Sequence, residues 1–134
     1  MRSRQTRLAV PWALAALIAL AADPALGQSR ADRFAALAYL QFSVGTKMVE
    51  RCSTRFPEFR ELGASVVAAW SQRHRAQIYH GRELSLKAAE RGEANVDREV
   101  ERRFQATIAE FAHKSEADAW ANCEAAFREF EMTD

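Results

Sequence analysis

The first 27 residues constrain this chain most, because they predict the compartment in which the rest folds. A basic head precedes an apolar run from Leu8 to Ala22, and small residues stand at the −3 and −1 positions of a cut after Gly27. This order is typical of a secretory signal peptide. We therefore expect residues 1–27 to be cleaved and residues 28–134 to form a single domain, either periplasmic or secreted.

An uncleaved N-terminal anchor is the alternative interpretation of the same segment. The apolar run is shorter than the roughly 20 residues that a membrane-spanning helix needs. Cleavage is therefore favoured, with membrane contact only through the signal peptide before it is removed.

The chain contains two cysteines, Cys52 and Cys123. Exported proteins fold in an oxidising environment, where an even number of cysteines favours disulfide formation. We predict one disulfide between them, with two buried free thiols as the alternative. Such a bond would tie together the two ends of the folded domain.

The region after the signal peptide has the pattern of an all-α protein. It is rich in Ala, Glu, Arg and Leu, which favour helices, and it lacks the period-two alternation of strands. We predict a small bundle of four to five mostly antiparallel helices. The first should run from about Arg30 to Arg55, capped by Ser29, and Phe56-Pro57 should end it.

The later helix boundaries are less clear in the sequence. We predict a break at His80-Gly81, followed by either a short helix or a bent continuation. Asn95 should cap the next helix, and Ser115 the last one. Two apolar stripes in the C-terminal part point in different directions, which favours two helices. One long curved helix over 96–132 is the alternative.

Composition and motifs exclude several functional classes. The formal net charge is only +1, so nothing draws the chain generally to nucleic acid or to anionic membranes. The sequence has no metal-ligand spacing, nucleophile elbow or glycine-rich phosphate loop. We therefore predict a protein that is not an enzyme and carries no metal or cofactor.

Two groups of residues are candidates for binding a partner. The segment from Arg73 to Arg82 is the densest basic stretch and contains no acidic residue. The first helix carries a second apolar strip, which would form an exposed interface if the bundle left it uncovered. The alternatives are a solvated helix end and a central helix buried on all sides. The candidate residues are Tyr39, Phe42, Val49, Arg73, Arg75, His80 and Arg82.

These observations predict a small exported interaction protein of the cell envelope, such as an inhibitor, an immunity-type protein or an assembly accessory factor. The partner would be another envelope or secreted protein, and a homodimer is compatible with the same surfaces. The alternative is a carrier of a small apolar ligand, or of non-covalent haem held between Met48 and His113.

Overall fold

The computed structural model describes residues 29–132, which form five α-helices and no strand. The prediction of a signal peptide lies outside the described residues. Within 29–132, no helix combines the length and the apolar character needed to span a bilayer. The helices are α1 (Arg30–Arg55), α2 (Phe59–Arg73), α3 (Arg75–Glu90), α4 (Val96–His113) and α5 (Glu116–Met132).

Side-chain caps start three of the helices where the sequence predicts them. Ser29 Oγ accepts a hydrogen bond from the Asp32 amide at 3.0 Å. At the start of α4, Asn95 Oδ1 accepts a hydrogen bond from the Arg98 amide at 3.0 Å. At the start of α5, Ser115 Oγ accepts one from the Asp118 amide at 3.1 Å. Lys114, between these two helices, has an extended backbone. The C-terminal part is therefore two helices, and the alternative of one long helix is wrong.

Helix α1 lies at the centre of the fold and packs against each of the other four helices. The predicted disulfide is confirmed: Cys52, near the end of α1, bonds Cys123, in the middle of α5, with Cα atoms 6.0 Å apart. An aromatic cluster surrounds the bond. Phe59 lies 4.6 Å from Trp120 and 5.5 Å from Phe127, measured between ring centroids.

The predicted helix break at His80-Gly81 is wrong. The chain leaves the helical conformation at His74, whose ring stacks on Trp70 with centroids 4.6 Å apart. Gly81 lies inside α3, where a Cβ atom would be 2.0 Å from the Ala35 carbonyl oxygen. This glycine allows α3 to approach α1 closely, so its role is interhelical packing rather than helix termination.

Candidate interaction surface

The outer face of α3 carries an exposed stripe that combines apolar and basic side chains. Gly81 faces α1, and Tyr79 lies about 200° around the helix from it, so Tyr79 points outward. Tyr79 is 63% exposed and Leu86 is 50% exposed. Arg75 and Arg82 are exposed at the same helical spacing. We call Arg75, Tyr79, Arg82 and Leu86 the α3 outer face.

The two arginines of the α3 outer face are both exposed. Neither guanidinium makes a hydrogen bond or an ion pair with another residue of the described range 29–132, and Arg82 acts on the Tyr39 hydroxyl through its charge alone. Glu83, also exposed, is the one acidic side chain beside them on α3. The face therefore offers two guanidinium groups, each with five N–H donors, on either side of a tyrosine ring.

His80 belongs to a contact within the protein. Its Nε2 lies 2.7 Å from Asp32 Oδ1. This hydrogen bond, with smaller contributions from Ser29, holds the pKa of the Asp32 carboxyl below its usual range. The pair connects α3 to the first turn of α1. The basic segment thus meets an acid from another helix, which the sequence alone did not reveal.

The structure covers the second apolar strip of α1. Tyr39 is 7% exposed, and its hydroxyl donates a hydrogen bond to Asp97 Oδ1 at 2.6 Å. Burial, followed by the hydrogen bond to Asp97, raises the pKa of Tyr39 to about 12. Phe42 and Val49 are half-buried against the core. No exposed apolar patch forms at these three residues, which agrees with the central-helix alternative.

The remaining predicted residues fall into two groups. The structure brings Arg75 and Arg82 to one face of α3, whereas Arg73 is the exposed last residue of α2, before the break. Sequence reasoning did not include Tyr79 and Leu86 among the candidates. The spacing of both with Arg75 and Arg82 was a signal that could have identified them.

The residues of the haem alternative have other surroundings. Met48 Sδ accepts a hydrogen bond from Arg51 Nη2 at 3.0 Å, and His113 is exposed at the end of α4. Within residues 29–132, no group of three or more His, Cys, Asp or Glu side chains is placed to hold a metal. No protein family, curated protein or solved structure matches this chain.

Proposed function

We propose that this protein is an exported, non-enzymatic binding protein that engages an acidic surface of another envelope or secreted protein through the α3 outer face. The observation that carries the proposal is the exposed Tyr79 between two unpaired arginines. Tyrosine and arginine are the residue types enriched among the energetic hot spots of protein interfaces.

Export is supported by the Cys52–Cys123 bond together with the signal-like sequence before it. Disulfides persist in oxidising compartments and are rare where thiols are kept reduced. Mass spectrometry of the natural protein should find an N-terminus at Gln28 and an oxidised cysteine pair. An intact Met1 together with two free thiols would contradict export.

Recognition would combine two kinds of contact. The Tyr79 ring and the Leu86 side chain supply apolar area, while the guanidinium forks of Arg75 and Arg82 match carboxylates in bidentate geometry. Because the chain as a whole is nearly neutral, the attraction is local to this face. Binding should therefore weaken as salt rises, mainly through slower association.

Site-specific photocrosslinking in the cells that make the protein tests the surface directly. A photoreactive phenylalanine replaces Tyr79 in one variant and Leu62 in the other. Leu62 is a matched control, since it is 54% exposed on α2. We expect a discrete adduct with one protein from position 79 and none from position 62. Equal labelling from both positions, or none from position 79, contradicts the proposal.

Charge reversal then tests the arginines with the partner that the crosslink identifies. The double variant Arg75→Glu/Arg82→Glu should bind at least about tenfold more weakly, because both carboxylate contacts become repulsive. The matched control is Arg60→Glu/Arg128→Glu, which changes the same number of charges at exposed arginines on α2 and α5. The control should retain wild-type affinity, and an equal loss in both variants would assign the effect to net charge.

A further inference from the structure

Arg51 is a half-buried cation that no acidic side chain of the described residues contacts directly. It lies on α1, and its guanidinium carbon is 4.3 Å from the centroid of Phe111 and 5.1 Å from that of Phe104. No carboxylate of residues 29–132 lies within ion-pair distance of it. Burial lowers the pKa of this arginine, and the carboxylate of Glu110 on α4 opposes that shift only in part. A cation removed from water without a counter-charge in contact with it is costly to the folded state.

Only neutral groups hold the guanidinium in place. Nη1 donates to Thr107 Oγ1 at 3.1 Å, and Nη2 donates to Asn122 Oδ1 at 3.4 Å and to the sulfur of Met48. The Nε atom is buried and has no hydrogen-bond partner in the described part of the chain. Thus three helices converge on one positive charge, and Glu110 of α4 acts on it only from beyond ion-pair distance.

Asn122 adds a second donor on the solvent side of this arginine. It is exposed on α5, and its carbonyl oxygen is the atom that faces Arg51. The NH₂ group of the same amide makes no hydrogen bond with residues 29–132. A guanidinium N–H and an amide NH₂ therefore lie close together where side chains of α1, α4 and α5 meet.

We propose that Arg51 and Asn122 form a binding site for a carboxylate, either of a small organic acid or of a peptide C-terminus. The guanidinium is in no ion pair, so its charge matches the single negative charge of a carboxylate. Because Nη2 is already occupied and Nε is buried, one carboxylate oxygen would accept from the remaining Nη1 N–H and the other from the Asn122 NH₂ group. A doubly charged phosphate would keep one charge unbalanced. The site lies apart from the α3 outer face, since Arg51 is about 18 Å along α1 from Tyr39.

Titrations of the oxidised protein, followed by NMR, test the site with defined probes. Phenylacetate represents a free acid, and N-acetylphenylalanine represents a peptide C-terminus. The amide of N-acetylphenylalanine is the uncharged control, with inorganic phosphate and sodium chloride as further arms. We expect both acids to shift the Arg51 Nε–H and Asn122 amide signals. The acid that binds more tightly shows whether the site prefers a free organic acid or a peptide C-terminus. Equal binding of the amide, tighter binding of phosphate, or no shift with either acid overturns the proposal.

Substitutions at Asn122 provide an independent readout that does not depend on the probe. Asn122→Asp supplies a carboxylate within the chain, so it should raise the thermal unfolding midpoint and abolish probe binding. Ala121→Asp, at the next exposed position of α5, is the matched control and should not raise the midpoint. Asn122→Ala should fold and bind the acids about tenfold more weakly. If Asn122→Asp leaves the midpoint unchanged or lowers it, Arg51 does not need an anion and the proposal fails.

Discussion

The two ends of α1 are held in different ways. At the disulfide end, residues 45–55 contact α2 and α5 through the Cys52–Cys123 bond and a cluster of aromatic rings. At the α3 end, residues 30–44 contact α3 and the start of α4 through a second, smaller apolar cluster, a close glycine approach and individual polar contacts. One end is fixed by a covalent bond and a large aromatic core, whereas the other combines a smaller apolar cluster with individual polar contacts.

The disulfide end of α1 contributes mainly to stability, whereas the α3 end leaves side chains exposed that a partner protein could contact. Buried rings and a buried disulfide contribute most to the free energy of unfolding, but as buried groups they are not available to a partner protein. The buried residues of α3 are all small: Gly81, Ser85 and Ala88. The large side chains of α3, Tyr79 and Leu86, therefore remain outside. The following predictions test this division, from the largest expected effect to the smallest.

Loss of the disulfide should have the largest effect on stability. The bond joins residues 71 positions apart, and closing a loop of that length is worth about 4 kcal/mol by the chain-entropy argument. We expect Cys52→Ala/Cys123→Ala to lower the free energy of unfolding by about that amount in urea titrations. Wild-type protein under reducing conditions is the control and should lose a similar amount. A loss below about 1 kcal/mol would show that the disulfide end does not depend on its bond.

Gly81→Ala should be the most damaging single substitution at the α3 end. The new Cβ would meet the Ala35 carbonyl oxygen at 2.0 Å, and backbone can move away only if the helices separate. We expect a loss of about 3 kcal/mol. At the disulfide end, the matched change Gly45→Ala meets the edge of the Phe130 ring. A ring can tilt, and alanine favours the helix, so that loss should be about 1 kcal/mol. Equal losses would contradict the contrast between the two ends.

Gly81 also shows what the sequence could and could not predict about the fold. Local signals predicted the extent of α1 and the caps at Ser29, Asn95 and Ser115, because each of these depends on neighbouring residues. The role of Gly81 depends on Ala35, far away in the chain. A glycine after a histidine resembles a helix end in sequence, and only the approach of α1 distinguishes the two roles.

For the candidate binding surfaces too, the sequence reveals features that depend on neighbouring residues and not those that depend on residues distant in the chain. The basic segment was visible in the sequence because its residues are consecutive, and the structure places two of its arginines on one exposed face. The surroundings of Arg51 were not visible, since Thr107 and Asn122 come from other helices. The pairing of His80 with Asp32 is likewise a product of the fold.

Tyr39→Phe should have an intermediate effect that also depends on pH. Removal of the hydroxyl loses the hydrogen bond to Asp97 and should cost about 1.5 kcal/mol at neutral pH. The pKa of Tyr39 is about 12 in the fold, above its ordinary value of 10.0. Its contribution is therefore complete below pH 10 and is lost as the pH rises toward 12. Urea titrations between pH 7 and pH 12 should show the difference between wild type and variant shrink in that window. A constant difference would mean that the hydroxyl does not titrate as the geometry implies.

Tyr79→Ala should have the smallest effect on stability, and this matters for the binding proposal. The side chain is 63% exposed and its hydroxyl makes no hydrogen bond with residues 29–132, so truncation should change the free energy of unfolding by less than about 0.5 kcal/mol. The same change should remove the central contact of the α3 outer face. Urea titration and partner affinity, measured on one preparation, should therefore move independently. A loss of stability comparable to that of Tyr39→Phe would show that Tyr79 packs within the fold, and it would contradict the proposal that the α3 outer face is available for binding.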